Sequence, residues 1–212
     1  MAEQKALLKT LAEIDAIITE SHIVYTSGKH GSAYVNKDAI YPRTALTSEL
    51  CLQIAKEFQN AGVEVVVAPV IGGVILSQWI AFHLSALTKK EVLGVYAEKS
   101  EGPEGFVLKR GYDKIVSGKK ILIVEDVLNT GGSVKKVVDV VNGLGGNILA
   151  VAALCNRGAV TTSMLGDVPK LYSILNIDLE TWDEKDCPLC AKKIPINTAV
   201  GKGKEYLRKK SS

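Results

Sequence analysis

A chain of 212 residues with 47% hydrophobic and 23% charged residues has the length and composition of a globular protein with one sizeable domain. Its net charge of +3, carried partly by the C-terminal tail, is too small to argue for nucleic acid as a partner. Glycines, Glu64 and Pro69 interrupt the apolar stretches and the N-terminus lacks a long apolar signal core, so we expect a cytoplasmic protein that does not cross a membrane.

The pattern of apolar residues predicts alternating helices and strands. Residues 2–20 and 44–61 have helical spacing, and the second segment ends at Ala61-Gly62, a plausible C-terminal cap. Further along the chain, buried strands are predicted at 63–68, 92–97, 120–125, 147–154 and 171–177, with a helix at 74–87. Alternation of this kind predicts right-handed βαβ units around a parallel sheet, and therefore an α/β protein.

Residues 121–133 carry the most informative pattern. Four apolar residues without alternation predict a strand buried on both faces, and Glu125 and Asp126 follow at its carboxyl end, where open α/β sheets place ligands. The next segment, 129–133, offers hydroxyls, two glycines and backbone N–H groups at a helix start, which suits an anion. Acids that can bind ribose hydroxyls or hydrated Mg²⁺ beside such a segment predict a sugar-phosphate ligand.

This segment resembles the phosphoribosyl pyrophosphate (PRPP) motif of type I phosphoribosyltransferases over its whole length. Asn129 stands where the family more often has a small residue or Thr. The alternative is an ordinary strand–acid–glycine turn whose acids only cap the helix. The resemblance implies the type I phosphoribosyltransferase fold, a central parallel sheet flanked by helices with a small hood, acting as a homodimer. We expect a single domain over 1–212, with the hood at about 1–43 plus parts of 165–212 and the core at about 44–165.

The resemblance also assigns the PRPP site. Glu125 and Asp126 would hold the ribose hydroxyls and the developing positive charge, while 129–133 would bind the 5′-phosphate. The glycine-containing turn after Pro69 would face the pyrophosphate and its Mg²⁺, although a plain tight turn is the alternative there. Mg²⁺ is expected to be bound mainly through PRPP and water, without direct ligands from side chains. The full predicted set is Glu125, Asp126, Val127, Leu128, Asn129, Thr130, Gly131, Gly132, Ser133, Ile71, Gly72, Gly73 and Lys99.

Two further segments resemble orotate phosphoribosyltransferases. Residues 25–37 match the N-terminal signature of a Ser-Gly turn, a basic residue and an aromatic, with Thr26 where that family commonly has Lys. Residues 155–158 end a strand with an Arg that would grip a pyrimidine and its carboxylate; a surface ion pair is the alternative. His30 is predicted to be a surface residue rather than a catalyst. The resemblance assigns contacts with the base to Lys29, Tyr34, Asn129 and Arg157.

The long segment 98–118 has four glycines and mixed charge, and 106–110 is predicted to form a short hairpin strand. Orotate enzymes often have Lys-x-x-x-Lys-x-His in this mobile loop, and this chain lacks the His. Lys99 best matches the start of that loop and would stabilise the leaving group. Lys109 and Arg110 are the alternatives, and in the family such a cation acts in the neighbouring subunit.

The resemblance implies Mg²⁺-dependent transfer of the phosphoribosyl group of PRPP to orotate, giving orotidine 5′-monophosphate and pyrophosphate in pyrimidine nucleotide biosynthesis. PRPP and orotate would be the small-molecule partners. Two alternatives stay open: the same fold acting on a purine, and a regulatory homologue that senses PRPP. Whether the chain pairs with a decarboxylase that consumes its product is not encoded in these motifs.

The four cysteines fall into two groups. Cys51 and Cys155 lie in apolar segments and are predicted to be buried thiols. Cys187 and Cys190 form a Cys-x-x-Cys pair, but a structural zinc needs four ligands, and no second pair or nearby His follows. Two such pairs could meet across a dimer axis, and a redox role lacks support. The sequence therefore favours a role in packing or in a dimer contact.

Overall fold

A computed structural model describes residues 2–101, 105–177 and 180–210, and the side chains from residue 7 onward within them. The helices are α1 Ala2–Glu13, α2 Thr44–Phe58, α3 Gly72–Thr88, α4 Tyr112–Val116, α5 Gly132–Gly143, α6 Pro188–Ala191 and α7 Gly203–Lys210. The strands are β1 Ile17–Ile18, β2 Ile23–Val24, β3 His30–Gly31, β4 Tyr34–Val35, β5 Val65–Pro69, β6 Leu93–Lys99, β7 Phe106–Val107, β8 Lys120–Leu128, β9 Asn147–Asn156, β10 Leu171–Asn176 and β11 Thr181–Trp182.

Six strands form a central sheet in the order β10-β9-β8-β5-β6-β7. All neighbouring strands in this sheet are parallel except β6 and β7, which are antiparallel. Strand β7 confirms the hairpin strand predicted within 106–110, although it has only two residues. Every residue of β5 is buried, as expected for a strand covered by helices on both faces. The predicted α/β class with a central parallel sheet is therefore confirmed.

Successive side chains along each strand point to opposite faces of the sheet. Ile121 and Ile123 of β8 join a buried cluster with the apolar residues of α5. Leu122 and Val124 are equally buried on the other face, where α3 packs against β5 and β8. A Cβ on Gly73 would lie 2.7 Å from the Ala68 Cβ and 3.2 Å from the Val124 carbonyl oxygen, so glycine lets α3 lie directly on the strands.

The largest differences between predicted and observed elements concern the first helix, the end of β8 and segment 98–118. The first helix ends at Glu13 rather than at residue 20, because Asp15 takes the left-handed conformation with φ 56° and the chain then enters β1. Strand β8 continues to Leu128 instead of stopping near Glu125. The short helix α4 within 98–118 was not predicted from its glycine-rich sequence.

The chain divides into two compact units, Met1–Pro42 with Asp178–Ser212 and Arg43–Ile177. The second unit contains the central sheet and extends beyond the expected limit at 165, because β10 pairs along β9. The first unit contains two small sheets, β1-β4 and β11-β3-β2, whose strands are only two residues long. Among helices in the described ranges, none combines the length and the apolar character that crossing a membrane requires.

Candidate active site

The segment after β8 forms the wall of a small cavity of about 130 Å³. Gly131 precedes α5 with φ +74°, and a Cβ there would lie 2.7 Å from Leu165 Cδ2. Glycine is therefore needed both for the left-handed turn and for the close approach. The Gly132 N–H lies 3.4 Å from Thr130 Oγ1. Hydroxyl and backbone amide groups therefore lie together at the N-terminus of α5, a helix of 12 residues. The cavity is lined by Glu125, Val127, Leu128, Asn129, Thr130, Gly131, Gly132, Ser133 and Val134.

The two adjacent acids lie on opposite faces of β8. Glu125 is opposite Ala153 on β9, which belongs to the face covered by α5, and its half-buried side chain lines the cavity. Asp126 is only 5% exposed and is not among the residues that line that cavity. Each carboxylate accepts the next backbone N–H, at 3.0 Å for Glu125 Oε1 and 2.6 Å for Asp126 Oδ1. Glu125 therefore lines the cavity together with 129–133, whereas Asp126 does not, and the role of both acids towards a ribose stays a prediction.

The predicted pyrophosphate turn follows β5, the strand next to β8 in the sheet. Ile71 is 86% exposed and follows a cis peptide bond with Val70. Gly72 and Gly73 begin α3 and are both buried. Parallel strands end at the same edge of a sheet, so this turn lies beside the end of β8.

Backbone hydrogen bonds hold Arg157 against the end of β8, next to segment 129–133. The Arg157 and Gly158 N–H groups donate to the Leu128 carbonyl at 2.9 and 3.0 Å. A Cβ on Gly158 would overlap the carbonyl of Asn129, so glycine permits this contact. Buried Asn156 exchanges two hydrogen bonds with the backbone of Val160, at 2.9 and 3.0 Å, and so closes the turn that carries Arg157. The structure thus brings the predicted base residues Asn129 and Arg157 together with the PRPP motif.

The three candidate cations of 98–118 differ in their surroundings. Lys99 is exposed at the carboxyl end of β6, opposite Phe106 of β7. Arg110 donates from Nε to Glu98 Oε1 at 2.8 Å, and this hydrogen bond raises the pKa of the guanidinium. Lys109 is exposed on the turn after β7. Lys99 therefore lies at the edge of the sheet where β5 and β8 also end, while Arg110 already has a carboxylate partner.

The predicted base residues of the N-terminal segment belong to the first unit. Gly28, with φ +83°, makes the turn between β2 and β3, and its N–H donates to the Tyr25 carbonyl at 2.9 Å. Lys29 Nζ lies 3.5 Å from Asp183 Oδ1 in an exposed ion pair. Tyr34 is half-buried on β4 opposite Ile18. These two contacts give Lys29 and Tyr34 structural partners, and their role towards a base stays a prediction.

Two predictions about histidine and cysteine were wrong. His30 is fully buried rather than at the surface. His22 and His30 lie against Cys187 and Cys190, although the sequence was interpreted as having no histidine near that pair. The prediction that Cys51 and Cys155 are buried thiols is confirmed, and burial raises the pKa of each to about 12. No local spacing signals that His22 and His30 approach a Cys-x-x-Cys near the other end of the chain.

Glu125 and Asp126 are the carboxylates that the end of β8 offers to Mg²⁺. Within the described ranges, Glu125 and Asp126 belong to no group of three or more His, Cys, Asp or Glu side chains with converging ligand atoms. Mg²⁺ usually keeps several waters and binds through one or two carboxylates and substrate phosphates rather than an all-protein cage. The residues present therefore fit an ion that arrives with a pyrophosphate ligand.

The sequence is similar to those of known proteins over most of its length. The sequence profile of a family described as "Phosphoribosyl transferase domain" matches residues 38–184. Orotate phosphoribosyltransferase of Caldicellulosiruptor saccharolyticus is 33% identical over 193 residues, covering 91% of this chain and 94% of that protein. The enzyme of the same name from Thermotoga maritima is 33% identical over 197 residues, covering 93% of this chain and 99% of that protein.

Solved structures of enzymes named for two different bases share the fold. Orotate phosphoribosyltransferase from Aeropyrum pernix gives a TM-score of 0.60 at 22% identity, covering 80% of this chain and 93% of that one. Adenine phosphoribosyltransferase from Thermoanaerobacter pseudethanolicus gives 0.59 at 18% identity, covering 79% and 99%. Scores this close mean that the fold by itself does not select a base.

Proposed function

Because the chain belongs to the phosphoribosyltransferase family, we propose that it transfers the phosphoribosyl group of PRPP to orotate, releasing pyrophosphate. The observation that carries the proposal is the backbone junction between the PRPP motif and the turn of Arg157. A guanidinium fork is suited to the carboxylate of orotate and is held beside a segment suited to a phosphate. Relatives at 33% identity over most of the chain carry the orotate name.

The proposed chemistry needs positioning and electrostatics rather than a nucleophilic side chain. The orotate nitrogen releases its proton to water and forms a bond to the anomeric carbon as the bond to pyrophosphate breaks, and positive charge develops on the ribose in the transition state. Glu125 faces that charge from the cavity wall, while the N–H groups of 129–133 hold the 5′-phosphate. Lys99 would steady the departing pyrophosphate, and Arg157 would orient the base. Mg²⁺, bound through PRPP and water, would supply charge neutralisation on the pyrophosphate oxygens.

The experiment that tests this function is pyrophosphate release from PRPP and Mg²⁺ with orotate, uracil, adenine, hypoxanthine and xanthine in parallel. We expect efficient turnover with orotate, slower turnover with uracil, which lacks the carboxylate, and none with the three purines. Turnover with a purine would keep the fold and overturn the assignment of the base. Turnover with no base, together with measurable binding of PRPP, would favour a regulatory homologue. The absence of the Lys-x-x-x-Lys-x-His pattern from 98–118 would then explain the lack of catalysis.

We further propose that the enzyme is a cytoplasmic homodimer. All four cysteines are free, which agrees with a reducing compartment. Helix α3 has an apolar stripe at helical spacing, formed by exposed Ile75 and Phe82 and half-buried Trp79. Phe82 is 62% exposed, and its ring contacts Trp79 edge to face with centroids 5.9 Å apart. A stripe of this kind on the outer side of a helix favours a protein contact, for which a second copy is our proposed partner.

Phe82→Glu should shift the protein from dimer to monomer, because a carboxylate would be buried unpaired at the centre of the contact. Light scattering after size-exclusion chromatography measures the mass directly. Asn142→Asp is the matched control: it adds the same charge at an exposed side chain of α5, which covers the other face of the sheet. A native protein that is already monomeric at micromolar concentration, or a Phe82→Glu protein that remains dimeric, would contradict this assignment of the interface.

A further inference from the structure

We propose that His22, His30, Cys187 and Cys190 form a structural zinc site in the first unit, independent of the transferase chemistry. His22 immediately precedes β2, and His30 begins β3. Cys187 precedes α6 and Cys190 lies within it. One ligand atom from each side chain lies within 4.8 Å of all the others. Three of the four residues are buried and Cys190 is half-buried.

Four of the six distances between donor atoms are close to the edges of a tetrahedron around one ion, and the other two, from Cys187 Sγ to His30 Nδ1 and to Cys190 Sγ, are at most 4.8 Å. Cys190 Sγ lies 3.4 Å from His30 Nδ1, and both sulfurs lie 3.7 Å from His22 Nε2. The two ring nitrogens are 2.9 Å apart. With Zn–S near 2.3 Å and Zn–N near 2.0–2.1 Å, the edges of a tetrahedral Cys₂His₂ site are roughly 3.3–3.8 Å. Only the nitrogen–nitrogen edge is shorter, and a few tenths of an ångström would open it.

The outer contacts orient the imidazoles as ligands. His22 Nδ1 lies 2.7 Å from the carbonyl of Ile194, to which it can donate, and that leaves the lone pair of Nε2 facing the cluster. His30 presents Nδ1 to the cluster, and among the described residues its buried Nε2 has no hydrogen-bond partner. The His30 ring is held by an edge-to-face contact with Tyr206, with centroids 5.2 Å apart. A hydrogen bond between the rings alone would leave the convergence of two free thiols unexplained.

The donor chemistry identifies the metal and its role. Two thiolates and two imidazoles in a compact tetrahedron select zinc over the oxygen-seeking Mg²⁺ and Ca²⁺. All four positions would be occupied by protein, so no coordination site is left for a substrate or an activating water. The site is therefore structural rather than catalytic.

The surrounding architecture shows what the metal would stabilise. His22 and Cys187 are 165 positions apart in sequence, and the ligands come from both chain segments of the first unit. The strands that join these segments, β2, β3 and β11, have two residues each. Such short ladders contribute little cooperative stability, and small units of this kind commonly depend on a metal. A zinc ion would fix the hairpin of β2 and β3 to the short helix α6.

The test is the metal content of the full chain, purified without chelator from zinc-supplemented cells. We expect about one zinc per chain. Cys187→Ser with Cys190→Ser should reduce bound zinc to a small fraction of that, while Cys51→Ala, which removes a buried thiol of the second unit, should retain it. Zinc well below stoichiometric amounts in the native chain, or equal zinc in the double variant, would overturn the proposal.

Cobalt substitution covers the case in which the double variant does not fold. Metal-free native protein titrated with Co²⁺ should develop the visible bands of tetrahedral cobalt and a near-ultraviolet thiolate-to-cobalt band, saturating at about one equivalent. His22→Gln should weaken the visible bands and retain the thiolate band. Octahedral spectra without a thiolate band would exclude the site. Removal of zinc by a chelator should also lower the melting temperature of the protein, and zinc should restore it.

Discussion

Glu125→Gln should lower kcat/KM for PRPP by about 10²–10³-fold, the typical loss when one preorganised electrostatic group at a reacting centre is removed. The side chain lines the phosphate cavity and is half-buried, so its charge acts on the ribose at reduced dielectric. Gln keeps the size of the side chain and its ability to accept the Asp126 N–H, and only the charge is lost. Steady-state kinetics with orotate saturating, together with calorimetric binding of PRPP, measure the effect.

The effect of Glu125→Gln can be compared with that of Asp126→Asn at the neighbouring position. Asp126 lies on the other face of β8 and is only 5% exposed, so we expect its substitution to cost at least about tenfold less in kcat/KM than Glu125→Gln. Unfolding monitored by circular dichroism should show both variants folded at the assay temperature. Equal losses in both variants would mean that the two acids contact the substrate together, as the sequence alone suggested, after a rearrangement of the end of β8.

The central sheet was predictable because its strands are unbroken apolar runs between glycine-containing turns. What the sequence did not define was where the strands end. Strand β8 extends to Leu128 because β9 continues beside it to Asn156, and this pairing depends on tertiary structure rather than on local pattern. The period of two along a strand already implies that Glu125 and Asp126 face opposite ways, but only the true end of β8 makes that rule apply to them.

The histidine–cysteine cluster shows where interpretation from sequence fails. A Cys-x-x-Cys was visible, but its partners are a pair of histidines eight positions apart on a separate hairpin. That spacing is wider than the three to five residues typical between histidines of zinc fingers. Arg157 is the opposite case: the resemblance of 155–158 to orotate phosphoribosyltransferases assigned it to the predicted base site together with Asn129, and its N–H is bonded to the carbonyl of Leu128, the residue before Asn129.

Arg157→Ala should abolish the preference for orotate over uracil. Uracil has the same ring without the carboxylate, so the ratio of the two kcat/KM values isolates what the guanidinium contributes. Hydrogen bonds to a charged group contribute about 1.5–3 kcal/mol, which corresponds to a loss of roughly 10–10² in kcat/KM for orotate. Turnover with uracil should change little. Arg157→Lys should recover only part of the orotate activity, because an ammonium cannot make the bidentate pair.

Lys119→Ala provides the matched control for loss of a positive charge. Lys119 precedes β8 at the opposite edge of the sheet and pairs with Glu64 at 3.0 Å, so its removal should leave both substrates unaffected. If Arg157→Ala lowers orotate and uracil turnover equally, the residue acts by holding the turn at Asn156–Val160 rather than by binding the carboxylate. If the ratio falls and PRPP affinity is unchanged, the carboxylate contact is assigned to Arg157, and the same experiment explains why a fold shared with adenine enzymes acts here on a pyrimidine acid.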